Sequence, residues 1–262
     1  MDKYMDKKVI VITGSTRGIG CGLAIQFLKR GHRVIVNGRN RIVVDKKVTK
    51  LADRGYDVRG VAGDIVRETT FQDLIDEAMT KYGKIDIWIN NAGIPQPQKY
   101  FDELGKNEIH DLVSVNLTGL MMGTRAAIHF FKKQGYGKIF NMEGFGSDGR
   151  MMDKLTLYGT TKRAVNYFTK SVSNEVKERS IQIGILSPGM VRTDFLKNAM
   201  SQASADEQDR NKKVMDILAE DVEPVAAFLV ERILASTKQY DRIEYLTKRR
   251  LIPKLIRLMW RR

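Results

Sequence analysis

Tyr158 and Lys162 stand four residues apart in a stretch with helical periodicity, so a phenol and an ammonium share one helical face. A cation beside a phenol favours the phenolate. Such a cation can lower a phenol from its ordinary value of about 10 toward the range of general acid or base work, though a Tyr/Lys pair at this spacing is common and gains force only from further motifs. A second cluster lies near the start of the chain. Residues 13 to 20 read Thr-Gly-Ser-Thr-Arg-Gly-Ile-Gly, directly after Val9-Ile10-Val11-Ile12 and directly before an amphipathic stretch closed by Lys29-Arg30-Gly31. Gly14 suits a sharp bend, Gly18 a backbone that touches a pyrophosphate, and Gly20 close packing of helix on strand. Free N–H groups in the run Ser15, Thr16, Arg17, Gly18, Ile19, Gly20 then face phosphates at a helix start.

Two such clusters act together only if the fold brings them to one place, and the chain alternates in the required way. Apolar runs recur at 9–12, 34–36, 58–62, 85–89, 138–142 and 181–186, separated by helix-length segments. Strands separated by helices predict right-handed crossovers and an α/β fold: a doubly wound parallel sheet of the Rossmann type, in a single domain. Ligands in such a sheet bind beyond the carboxyl ends of the strands. The residues there are Asn37-Gly38-Arg39, Gly63-Asp64-Ile65, Asn90-Asn91-Ala92-Gly93 and Ser187-Pro188-Gly189.

An Asp or Glu closing the second strand would accept from a ribose 2′-hydroxyl and repel a 2′-phosphate; this chain has Asn37. Arg39 follows two residues on, and Arg17 sits in the glycine loop. Two guanidinium forks at a 2′-phosphate favour NADP(H) over NAD(H), unless both arginines face solvent. The longest helices are expected at 107–133 and 156–178, and both carry apolar residues beyond one face. The surplus reads either as a subunit contact, giving a homodimer or homotetramer, or as a loosely patterned core helix.

Composition narrows the classes further. A chain of 262 residues suits one α/β domain, and no apolar run is long enough to span a bilayer. The first strand begins almost at once, which leaves no room for a targeting peptide and suggests a cytoplasmic protein. Cys21 is the single cysteine, so no internal disulfide forms, and a packed thiol is expected; no metal site is proposed. Net charge is +14, and residues 242–262 hold eight Lys/Arg against one Glu, half of that excess. The remainder is diffuse, and nucleic acid is not an expected partner.

Five ordered motifs carry a resemblance. Thr13-Gly14 with Gly18-Ile19-Gly20, Asn90-Asn91-Ala92-Gly93, Asn116, Tyr158 with Lys162, and Pro188-Gly189 with Thr193 resemble, in order and spacing, the short-chain dehydrogenase/reductases over about residues 7–236. The resemblance implies that Tyr158 gives a proton to a carbonyl oxygen while NADPH delivers hydride to its carbon. It implies that Lys162 holds the ribose hydroxyls and lowers the Tyr158 pKa, that Asn116 supports a bound water, and that Asp64, with Ile65, touches the adenine. Asn91, Ala92 and Gly93 line the cofactor, while Pro188, Gly189, Val191 and Thr193 orient the nicotinamide carboxamide. The expected domain is 1–240, followed by a basic amphipathic extension, 241–262.

One departure stands out. The family carries a Ser thirteen residues before the Tyr, where this chain has Phe145, and Glu143-Gly144 replace the usual strand-end Ser-Ser pair. Ser147 would supply the hydroxyl if its loop folds back. The run from Phe140 to Gly149, with Tyr158-Gly159 and Leu186 to Val191, is similar to chlorophyll(ide) b reductases, which reduce a formyl group on a chlorin ring with NADPH. That likeness implies a bulky apolar carbonyl substrate and an adaptable lid over 190–222 with Met190, Phe195, Leu196, Met200 and Met215. The missing serine and the unusual tail leave a second reading, an NADP(H)-binding sensor or scaffold that has lost catalysis. A tail helix beginning near Pro253 places Ile252, Leu255, Ile256 and Met259 on one side and Arg250, Lys254, Arg257 and Arg261 on another. Such a helix either lies in a membrane interface or covers the enzyme's own pocket or a neighbouring subunit.

Overall fold

The computed structural model describes residues 7–177, 180–196, 217–247, 249–250 and 252. Seven strands form one parallel sheet in the order β3-β2-β1-β4-β5-β6-β7. They are β1 Val9–Ile12, β2 Arg33–Gly38, β3 Val58–Ala62, β4 Ile87–Asn90, β5 Gly137–Met142, β6 Ile181–Ser187 and β7 Tyr240–Glu244. The helices are α1 Gly18–Lys29, α2 Arg41–Ala52, α3 Glu68–Tyr82, α4 Lys106–Val113, α5 Leu120–Gln134, α6 Thr156–Glu175 and α7 Val222–Ala235.

Alternation along β1 shows why the sheet is covered twice. Ile10 and Ile12 join Leu23 and Phe27 of α1 and Val225 of α7, whereas Val9 and Val11 pack with Phe71 of α3 and Phe131 of α5. Both faces are apolar, so the strands read as continuous apolar runs. The order reverses at β1, which lies between β2 and β4, and a crevice opens there beyond the strand ends.

The expected helix at 107–133 is not continuous. Between α4 and α5 runs a π-helical turn, Ser114–Gly119. It widens where Asn116 exchanges two hydrogen bonds with the Ile94 backbone: Nδ2 donates to the carbonyl at 2.9 Å and Oδ1 accepts from the N–H at 2.8 Å. The run at 85–89 enters the sheet at Ile87; just before it, the Asp86 carboxylate accepts from the Val9 N–H at 2.8 Å. A strand at β7 was not expected, and the sheet runs past the boundary drawn at residue 240. Of Tyr-Asp-Arg-Ile-Glu only Ile243 is buried, so this edge strand lacks an apolar run.

The end of the chain is described only to Ile252. There Arg250 stacks on Tyr245, 4.1 Å from its ring centre, and on Phe228 at 4.6 Å. The amphipathic helix expected from Pro253, and Met200 and Met215 of the expected lid, lie outside the described residues. Among the described residues, no helix is long and apolar enough to cross a membrane.

Candidate active site

The glycine loop leaves β1 and turns where Gly14 adopts φ +61°, pressed against Ala92 so that a Cβ would stand 2.7 Å from the Ala92 Cα. Gly18 opens α1 at φ +56°, beneath the Thr193 methyl. Arg17 caps that helix in extended conformation with no side-chain cap bond, and no acidic residue occupies the first turn. The positive end of α1 thus retains donors and field for an anion, and a dinucleotide phosphate fits there. Arg17 and Arg39 are both exposed beside this corner.

Several residues expected to touch the cofactor serve the frame. Asn37 is buried, with Oδ1 accepting from the Gly14 N–H at 3.2 Å and Nδ2 donating to the carbonyls of Val61 and Gly63, both at 3.1 Å. Its side chain ties β2 to the glycine turn and β3. The strand closes at Gly38, where a Cβ would stand 2.8 Å from the Thr16 methyl. Ser15 is likewise turned inward: its hydroxyl donates to the Ile12 carbonyl at 2.7 Å and accepts from the Asn37 N–H at 2.9 Å. Asn91 Nδ2 holds the carbonyls of Thr13 and Gly14, each at 2.9 Å.

Asp64 follows β3 and turns its carboxylate onto the Val66 N–H at 3.2 Å, while Ile65 packs on Gly119. Asn116 spends its amide on Ile94, so any water it supports would contact its backbone; Gly93 lies alongside. After β6, Pro188 and Gly189 lead into a segment pinned by Val191, which bridges Glu220, with the Arg192 N–H donating to the Glu220 carbonyl at 2.8 Å. Thr193 donates to the Val191 carbonyl and accepts from the Leu196 N–H, both at 3.3 Å.

Tyr158, Lys162 and Asn166 form one face of α6. Residues 142 to 144, leaving β5, meet that face. The Met142 carbonyl accepts from Lys162 Nζ at 3.2 Å, Glu143 accepts from Asn166 Nδ2 at 3.2 Å, and Gly144 lies against the Tyr158 hydroxyl. Lys162 Nζ is 5.6 Å from the Tyr158 ring centre. The residue facing the phenol is therefore Gly144, fourteen residues before Tyr158 in sequence, and not Phe145, which lies under the Arg150 guanidinium at 5.8 Å. A turn follows Gly144: the Ser147 N–H donates to the Gly144 carbonyl at 3.2 Å and the Ser147 carbonyl accepts from Arg163 at 3.0 Å.

The electrostatics differ from the expectation. Burial pushes the Tyr158 phenol above its ordinary value, so Lys162 does not lower it in this arrangement. Lys162 itself is depressed to about 8 by burial, with Glu143 acting in the opposite direction. The physical reason is that the ammonium is only 4 % exposed and its own charge is poorly solvated. At neutral pH the face presents a protonated phenol and a cation.

Gln96, 1 % exposed, carries no motif that marks it in the sequence: its Oε1 accepts from the Tyr158 N–H at 2.9 Å and fixes the start of α6. Phe195 closes the other side, its ring 6.0 Å from that of Tyr158. Cys21 is buried in α1, with Lys47 Nζ 3.3 Å from its sulfur. Among the described residues no cluster of His, Cys, Asp and Glu is arranged to hold a metal ion.

Comparison with known proteins gives consistent relatives. Residues 8–204 match the family described as short chain dehydrogenase. The chain is 37 % identical over 233 residues to chlorophyll(ide) b reductase NOL, chloroplastic, of Oryza sativa subsp. japonica, covering 86 % of this chain and 66 % of that protein. It is 32 % identical over 271 residues to probable chlorophyll(ide) b reductase NYC1, chloroplastic, of Arabidopsis thaliana, covering 97 % and 53 %. The chain thus spans about half to two thirds of the length of these plant relatives. Among solved structures, a 3-ketoacyl-(acyl-carrier-protein) reductase from Brucella melitensis complexed with NADH superposes with a TM-score of 0.79 at 26 % identity, over 93 % of this chain and 98 % of that one.

Proposed function

The chain belongs to the short-chain dehydrogenase family, and from that premise we propose that it is an NADPH-dependent carbonyl reductase in which Tyr158 protonates the substrate oxygen. The single observation that carries this reading is the α6 face, where a phenol held protonated by burial stands beside the Lys162 cation. A protonated phenol can give its proton to a carbonyl oxygen.

When bound, the nicotinamide cofactor supplies a hydride to the carbonyl carbon. This chain's residues do the rest. The α1 N-terminus with Gly18, Ile19 and Gly20 would hold the pyrophosphate, and Thr193 with Pro188, Gly189 and Val191 the carboxamide. Lys162 would bind the ribose and stabilise the phenolate that forms as Tyr158 yields its proton. Ser147 is the hydroxyl we assign to substrate alignment, supported by the turn that brings its N–H to the Gly144 carbonyl.

For NADP(H), the support is the glycine at the end of β2. Gly38 offers no carboxylate to repel a 2′-phosphate; Arg17 and Arg39 both face solvent, and they add to this choice only by turning onto that phosphate when the cofactor binds. For the substrate, we favour a bulky apolar aldehyde of the kind named for the plant relatives. Its support is their identity and the Phe195 ring beside Tyr158. Subunit pairing through α5 and α6 belongs to the same proposal and is supported by Tyr167, 77 % exposed on α6.

Tyr158→Phe tests the reading. The expected result is loss of NADPH oxidation with aldehydes by about 10²-fold or more while NADPH binding persists. Retained turnover would contradict the proton-donor role. Wild-type protein that binds NADPH yet reduces no carbonyl compound would favour the sensor reading, to which the absence of a serine at Gly144 gives some weight.

A further inference from the structure

Glu143 has no role in the chemistry described so far, yet it is 3 % exposed and ends up beside the working face of α6. A buried carboxylate is costly unless it is paired and hydrogen-bonded. Both oxygens of Glu143 are engaged. Oε1 receives Arg242 Nη2 at 2.7 Å and Oε2 receives Asn166 Nδ2 at 3.2 Å. Arg242 belongs to β7 and reaches Glu143 across β6, so the edge strand supplies one anchor and α6 the other. Asn166 is one turn beyond Lys162, and the peptide carbonyl preceding Glu143 is the one to which Lys162 donates.

We propose that Glu143 is a positioning residue that keeps Lys162 a cation, its carboxylate held at the α6 face by Arg242 and Asn166. The role rests on the Tyr158–Lys162 reading given above and adds to it a source of countercharge. Burial disfavours the charge on Lys162, and the carboxylate fixed nearby opposes that. Arg242 does two things at once. Its positive charge moderates the field that Glu143 exerts on Lys162, and it holds one oxygen while Asn166 holds the other, so the carboxylate stays at α6 when Arg242 is removed.

The groups facing this pair are few among the described residues. β7 contributes Arg242, Tyr240 and Glu244, and α6 contributes Tyr158 and Asn166. β6 contributes the Leu186 carbonyl, which accepts from the Glu143 N–H at 3.0 Å. Burial works against the Arg242 charge, but Glu143, with Glu244 and Tyr240, outweighs it and holds the guanidinium above its ordinary range. Burial and the same carboxylate push Tyr240 up.

Two variants test the role, Glu143→Gln and Arg242→Gln, with Glu143→Asp as the conservative control. Lys162 is titrated directly by NMR of the reductively ¹³C-methylated protein, assigned with Lys162→Arg. This readout needs no turnover. Glu143→Gln is expected to lower the Lys162 titration by about one pH unit, Glu143→Asp to restore most of it, and Arg242→Gln to raise it. The alkaline limb of NADPH oxidation moves in the same directions. A purely structural contact would shift both glutamine variants alike, so equal signs, or no change in the Lys162 titration, overturn the proposal. Should Glu143→Gln fail to fold, Arg242→Gln still decides, because an unchanged or lowered Lys162 titration overturns it. If the wild type shows no carbonyl reduction at all, the reductase reading fails and the NMR titration still judges Glu143.

Discussion

Gly144 lies so close against Tyr158 that a Cβ on residue 144 would collide with the phenolic oxygen. The strand end and the phenol therefore pack backbone to side chain, with no room for the serine usual in the family. Gly144→Ala is expected to push the Tyr158 hydroxyl aside and to lower kcat by on the order of 10²-fold, as for a misplacement near 1 Å. Gly144→Ser should be no better than alanine, because its Cβ meets the same obstacle before its hydroxyl can act. Steady-state kinetics on the two variants, with NADPH binding followed by fluorescence, check this. A serine variant faster than wild type would contradict the packing argument.

The pH dependence follows from Lys162. Its titration near 8 lies below the ordinary lysine value because burial disfavours the charge. The ammonium is thus present below about pH 8 and lost above it. Carbonyl reduction should fall as pH rises through that value, while Tyr158, raised by burial, still keeps its proton. Initial rates from about pH 6 to about pH 10 measure it, and a flat profile across pH 8 would remove Lys162 from the working site.

Gln96 links the loop after β4 to the first turn of α6. Replacing it by Leu leaves the Tyr158 N–H without its acceptor in a buried setting, which costs about 1–3 kcal/mol of stability. Urea unfolding should show a lower midpoint at unchanged slope. The KM for aldehyde should rise as the Tyr158 turn loosens, whereas an unaltered melt would mean that the bond contributes nothing net.

Cofactor choice should reside in two exposed guanidinium groups. Arg39→Ala and Arg17→Ala are each expected to weaken NADPH binding by about tenfold, leaving NADH binding nearly unchanged, since a charge-assisted bond to a phosphate contributes about 1.5–3 kcal/mol at most. Calorimetric titration with both nucleotides separates the cases. Equal weakening of NADPH and NADH would place these arginines at the shared pyrophosphate.

The frame of this protein was legible because its signals are local. Val9–Ile12 followed by a glycine turn and a helix can form only a few structures, and repetition of that unit at 58–62, 138–142 and 181–186 points to one parallel sheet. The pairing of Tyr158 with Lys162 follows from helical spacing alone. β7 escaped notice because an edge strand with one buried residue carries no apolar run, and the break at Asn116 because a hydrogen bond to Ile94, twenty-two residues away, produces it.

Sequence by itself determined the family, the sheet, and which side chains share the α6 face, since each depends on neighbours within a few residues. Only the tertiary structure decided that Asn37 and Ser15 serve the frame and that Gly144 rather than Phe145 meets the phenol. It also joined Glu143 to Arg242, ninety-nine residues on. These are questions of which buried polar groups partner one another, and of how much solvent each charge loses. Burial and long-range pairing are set by packing across the sheet, which spacing along the chain does not encode.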